Sequence, residues 1–163
     1  MDESEHVYTP PGRGTRQLPD ALLSYLNGTQ LLHKTQALRL STVDAAGWPH
    51  AALLSAGDAL AVSPQRLRFA LFAQSTTAAN LARDPRVTLT LSLDRGMCEV
   101  RLHVQRLGSD DGPLALFEGS VDEVRTHVAP YADLTSGLSF TLHQPEAVHT
   151  RWLRQLAALK SAN

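Results

Sequence analysis

Residues 87–107 read VTLTLSLDRGMCEVRLHVQRL, and this stretch decides the fold class. Val87, Leu89, Leu91 and Leu93 alternate with Thr88, Thr90 and Ser92. Such a period of two places the apolar residues on one face of a strand and the hydroxyls on the other. Arg95 and Gly96 turn the chain. Cys98, Val100, Leu102 and Val104 then alternate with Glu99, Arg101, His103 and Gln105. Two such runs joined by a short turn predict an antiparallel hairpin with one buried face.

Working outward, LRFALFA (67–73) is almost wholly apolar, as a strand covered on both faces is. Ala37–Val43 and Trp48–Ser55 flank the turn signal DAAG and predict a further hairpin; Pro49 is tolerable at a strand start. LSFTLH (138–143) is expected as the last strand. LPDALLSYLNGTQLLHK (18–34) predicts a helix weakened or broken at Gly28. PLALFEGSVDEVRTHVAPY (113–131) predicts a second, from Leu114 to about Val128. PEAVHTRWLRQLAALK (145–160) predicts a closing amphipathic helix with Val148, Trp152, Leu156 and Leu159 on one face. Trp152 is expected in core or dimer packing. Trp48 suits either a ligand stack or a plug at the barrel end. The expected class is mainly β with flanking helices, the strands antiparallel in a closed or nearly closed barrel.

The chain has 163 residues, fitting a flexible N-terminal arm over 1–18 and one domain over 19–163. The apolar fraction of 43% supports a real core. Net charge is −1, so no polyanion-binding surface is expected and nucleic acid is not an expected partner. No stretch approaches the roughly 20 apolar residues of a spanning helix, and the polar N-terminus resembles no secretory signal. With the lone Cys98 unable to form an internal disulfide, a cytoplasmic location is expected, with no membrane partner. GRGTRQ lacks the third glycine of a dinucleotide fingerprint and follows no strand, no G-x-S-x-G occurs, and the seven histidines show no metal spacing. No metal site is expected, and Cys98 reads as an inert strand residue.

AQSTTAANLARDPRV (73–87) places Ser75, Thr76 and Thr77 where a short helix begins. Ser75 suits the N-cap, whose hydroxyl accepts from a free amide. The same free amides, the positive end of the helix dipole and three hydroxyls also suit a phosphate. Caps are the commoner of the two roles, and the residues leave both open.

LSTVDAAGWPHAALLS, LRFALFAQSTTAANLARDPRVTLTLS and CEVRLHVQRL, in this order between residues 37 and 107, resemble the pyridoxamine 5′-phosphate oxidase-like family, the FMN-binding split barrels. TVDAAGWPH and NLARDPRV are the most specific pieces. The resemblance implies a six-stranded antiparallel split β-barrel, a homodimer, and FMN in grooves at the dimer interface. It implies flavin redox chemistry on a small-molecule substrate. Ser75, Thr76 and Thr77 match the segment that holds the FMN phosphate. The flavin ring is expected against His50, Ala51, Ala52 and Leu53 on one strand and Ala70, Leu71 and Phe72 on another. Backbone N–H groups there would meet the ring edge, and the alanines would leave room. The best-known oxidases of the family carry Ser-Arg-Lys where this chain has Ser-Thr-Thr. They also carry arginine and lysine where Ala52 and Gly57 stand. Pyridoxamine phosphate oxidation proper is therefore not expected. Arg83 or Arg86 is the expected substitute cation. Deazaflavin or haem, with His50 or His103 as axial ligand, and a non-catalytic ligand-binding dimer are the alternatives. No catalytic acid or base is identified, since hydride transfer to a flavin needs proximity more than a protein nucleophile.

Overall fold

The structure is a computed structural model describing residues 14–108 and 112–163. Its elements are α1 (Asp20–Tyr25), β1 (Leu38–Val43), β2 (Pro49–Leu54), β3 (Ala59–Ser63), β4 (Arg66–Phe72), α2 (Thr76–Arg83), β5 (Arg86–Leu93), β6 (Gly96–Leu107), β7 (Leu114–His127) and α3 (Pro145–Ser161). The strands form one antiparallel sheet in the order β2-β1-β5-β6-β7-β4-β3.

That order forces a barrel. β2 and β3 are the two edges of the sheet, yet only residues 55–58 join them. Laid flat, seven strands would hold the edges about 29 Å apart. The link reaches at most about 18 Å. The sheet must therefore curl until its edges approach, and because β2 and β3 do not pair, the barrel stays split there. The core fills the inside: Leu38, Leu40, Leu67, Phe69, Leu89, Val100 and Leu102 are essentially inaccessible. Phe69 and Phe117 stack across β4 and β7 with ring centroids 5.5 Å apart.

The hairpin of residues 87–107 forms as expected, with Leu89 opposite Val100 and Leu91 opposite Cys98. The β1–β2 turn is set by Asp44, whose Oδ1 accepts from the amides of Ala46 and Trp48, both at 2.9 Å, and by Gly47 at φ 86°. Trp48 stands 72% exposed on this turn and plugs nothing.

Four expectations are corrected. The sheet has seven strands where six were expected. β3 went unseen; it is short and carries a bulge between Ala61 and Ser63. Residues 114–127, expected as a helix, are the long strand β7. The error has a local cause. Phe117 and Val121 face inward with Ala115 and Gly119, but a bulge leaves Asp122 outside the ladder, pairing Leu102 with Val121 and Arg101 with Glu123. The next buried residue is Val124, so one extra residue converts a period of two into an apparent helical spacing. Residues 138–143 form no strand; Ser139 makes a single bridge to Gln36.

The helix expected over 18–34 stops after six residues. Gly28 at φ 77° and Gln30 at φ 52° turn the chain, and Leu31–His33 continue as one 3-10 turn. The expected arm falls largely outside the described residues. Its last part, 14–18, is tied to the barrel: Thr15 exchanges backbone hydrogen bonds of 3.1 and 2.7 Å with Val124, and Leu18 is buried.

Candidate functional site

α2 follows β4 after a tight turn in which the Ser75 amide donates to the Phe72 carbonyl at 3.0 Å. Ser75 is the N-cap; its Oγ accepts from the Ala78 amide at 3.1 Å, and its carbonyl accepts from Ala79. The cap role is thus real, and the Ser75 hydroxyl proton is still available to donate outward. The amides of Thr76 and Thr77 belong to the first turn, where no carbonyl lies one turn back to receive them. Thr77 is only 2% exposed, and its hydroxyl makes no hydrogen bond among the described residues.

A cavity of about 320 Å³ opens beside this helix start. It lies at the split. Ala52, Leu53 and Leu54 of β2 form one wall, and Ala70, Leu71 and Phe72 of β4 another. Ser75 and Thr77 close one end; Asp58, Leu114, Arg151 and Gln155 complete it. Both walls carry free strand edges. β2 pairs with β1 alone, and the β3 side of β4 is paired only as far as Ala70, whose amide donates to the Asp58 carbonyl at 2.9 Å. Unpaired backbone donors and acceptors therefore border a space kept open by the small Ala52 and Ala70. Leu53 and Phe72, 57% and 67% exposed, flank the mouth without filling it.

Of the residues expected around a cofactor, Ala52, Leu53, Ala70, Leu71, Phe72, Ser75 and Thr77 come together here. His50, Ala51 and Thr76 do not line the cavity; His50 is half-buried and the other two are exposed. Neither expected cation turns inward. Arg83 donates to the Val43 carbonyl at 2.8 Å and to Asn80 Oδ1 at 3.0 Å. Arg86 is held by Asp84 at 2.9 and 2.8 Å. That pairing keeps the Asp84 carboxyl below its ordinary range.

Residues 55–58 and α3 supply what the sequence reading missed. Asp58 Oδ2 accepts from the amide and hydroxyl of Ser55, both at 2.8 Å, and Oδ1 accepts from Gln155 Nε2 at 2.8 Å. Both oxygens of the one carboxylate in the cavity are therefore engaged. Gly57 explains a departure from the oxidases: a Cβ there would stand 2.1 Å from the Trp152 indole ring. α3 presses that ring onto the Gly57 backbone, so position 57 has no room for the lysine of the resembled oxidases.

The other hollows fit a site less well. A larger one, about 860 Å³, runs along Gly14–Asp20 and the end of β7. Another, about 440 Å³, lies on the outer face of β5 and β6. The first takes in the start of α1, but that helix is only six residues long and carries Asp20 in its first turn, which opposes an anion; the second contains no helix start. No group of histidine, cysteine, aspartate and glutamate among the described residues is arranged to hold a metal. No helix among them is long and apolar enough to cross a membrane. Burial, and then the charges of Asp94 and Glu99, push the Cys98 thiol up to about 11, so it stays protonated and unreactive.

Comparison with known proteins agrees with this architecture. Residues 29–128 match the family model of pyridoxamine 5′-phosphate oxidase. The uncharacterized protein YclD of Bacillus subtilis (strain 168) is 36% identical over 147 residues, covering 88% of this chain and 96% of YclD. Among solved structures, a candidate pyridoxamine 5′-phosphate oxidase from Lactobacillus delbrueckii superposes with a TM-score of 0.54 at 19% identity, covering 69% of this chain and 98% of that one. The styrene monooxygenase flavin reductase of Pseudomonas putida S12 superposes with a TM-score of 0.50 at 14% identity, covering 60% and 85%. The two solved structures share the fold, and the family match and the relative together carry the assignment: this chain is a split-barrel member of the pyridoxamine 5′-phosphate oxidase family.

Proposed function

We propose that this protein is an FMN-dependent oxidoreductase acting on a small molecule, working as a homodimer in the cytoplasm, and not a pyridoxamine phosphate oxidase proper. One observation carries the reading: the cavity at the split joins free strand edges, two small alanines and the open start of α2 in a single space. The donor set fits the cofactor. A phosphate dianion needs several donors, and the Thr77 amide with the Ser75 and Thr77 hydroxyls provides them. A planar ring with polar edges needs flat apolar walls and backbone partners, and β2 and β4 provide these. At about 320 Å³ the cavity is at the small end for ligand sites, so part of the ligand would lie over Leu53 and Phe72 at its mouth.

When bound, FMN would supply the electron-transfer chemistry itself. The chain's own work would be to grip the phosphate at α2, to orient the ring between β2 and β4, and to keep water from the face that Ala52 and Ala70 cover. No titratable side chain in the cavity is needed to move a proton.

The purified protein, titrated with FMN, is expected to quench flavin fluorescence with micromolar or tighter affinity and to run in solution at about twice its 17.7 kDa. Protein that leaves tens of micromolar FMN unquenched would overturn the flavin reading. The absorption spectrum separates FMN from deazaflavin and haem.

A further inference from the structure

The cavity contains one basic side chain, and it comes from outside the segment that matches the family: Arg151 of α3, beyond residues 29–128. We infer that Arg151 is the cation that neutralises the phosphate end of the ligand, replacing the basic residues missing beside Ser75. The inference rests on the flavin reading for the ligand's identity.

Three observations place it there. Arg151 precedes Gln155 by one helical turn, so both stand on one face of α3. Gln155 is anchored to Asp58 Oδ1 at 2.8 Å and to the Gly57 carbonyl at 3.3 Å, which fixes that face over the cavity. Trp152, buried against Gly57, prevents α3 from rolling. Secondly, Arg151 makes no hydrogen bond or ion pair among the described residues. Arg66, Arg68, Arg83, Arg86, Arg101 and Arg125 are all engaged elsewhere. Thirdly, Thr77 lines the same cavity; the residue is 2% exposed overall, and its hydroxyl has no hydrogen-bond partner among the described residues. An unpaired guanidinium, an unpaired hydroxyl and the open Thr77 amide around one space form a donor set that calls for an acceptor with several oxygens. The carboxylate of Asp58 does not answer it, because both its oxygens are already engaged. A guanidinium's planar fork suits a phosphate better than an ammonium does.

The experiment compares FMN with riboflavin, which lacks the phosphate, by fluorescence titration of the full chain and of Arg151→Gln, Arg151→Lys and Arg154→Gln. The native chain is expected to prefer FMN by about tenfold or more. Arg151→Gln should erase most of that preference while changing riboflavin affinity less than about twofold, and should flatten the salt dependence of FMN binding. Arg151→Lys should fall between, and Arg154→Gln, on the same helix but away from the cavity, should match the native chain. Unchanged FMN affinity in Arg151→Gln, or equal weakening of both ligands, overturns the inference and leaves the flavin reading standing. If the native chain binds neither flavin, the flavin reading fails. Thermal protection by inorganic phosphate then decides the anion site: protection of the native chain and not of Arg151→Gln upholds it, and any other pattern removes it.

Discussion

At its C-terminal end α2 is tied down by side chains, and at its N-terminal end it is left open. Asn80 donates to the Thr42 hydroxyl at 3.0 Å, Arg83 bridges Asn80 and the Val43 carbonyl, and Asp84 chelates Arg86. Eight residues suffice to pass from this closed end to Thr76 and Thr77, whose amides and hydroxyls find little to bond. Both ends face the same requirement, that buried polar groups need partners. The closed end meets it within the chain and so contributes stability. The open end carries the same kind of group without internal partners, which is how a fold holds donors ready for something else.

This contrast is open to direct attack. The largest effect is expected at the closed end. Asn80→Ala strands the buried Thr42 hydroxyl and removes one of the two acceptors of Arg83, and should cost about 2–3 kcal/mol in urea denaturation with flavin affinity unaltered once folded. A loss below about 0.5 kcal/mol would show that the closed end is not closed. Ser75→Ala comes next: the lost cap should cost about 1 kcal/mol by the same measurement, and here FMN affinity should fall as well.

Thr77→Val sharpens the comparison from the other side. Replacing an unpartnered hydroxyl with a methyl should leave stability within about 0.5 kcal/mol, since no bond is lost. Thermal protection by inorganic phosphate should nevertheless weaken several-fold. A clear loss of stability in this variant would mean that the hydroxyl is already satisfied and the open end is not open.

The smallest effect concerns acid. Arg86 holds the Asp84 carboxyl below its unfolded value near 3.8. A group depressed on folding stabilises the protein above its unfolded pKa, and that contribution disappears as pH falls through the folded value. Asp84→Asn should therefore lose a small stabilisation at neutrality, and its difference from the native chain should shrink as pH falls below about 4, making acid unfolding shallower. The pair is exposed to solvent, so a steep change at pH 7 would contradict its surface position.

Much of this was legible locally. The period of two in residues 87–107 reports one buried face directly, because side-chain direction in a strand depends only on residue parity. Part of the cavity lining was legible too, through the alanines at 52 and 70 and the hydroxyls at 75 and 77, whereas His50, Ala51 and Thr76 lie outside it. Other features were not, because each depends on partners far along the chain. β7 looked helical since its bulge exists only opposite Arg101 and Leu102 on β6. Arg83 looked free to help an anion since its true acceptor, the Val43 carbonyl, lies forty residues earlier.

Sequence alone, then, settled the regularly alternating strands, the helix start with its hydroxyls, and the family, since alternation, capping and motif order are short-range properties. Which helix end is satisfied, and which arginine reaches the cavity, were decided only by tertiary structure. The reason is geometric: a polar group's fate depends on whether folding delivers a partner within about 3 Å, and for residue 83 folding delivers one, while among the described residues it delivers none to residues 77 and 151.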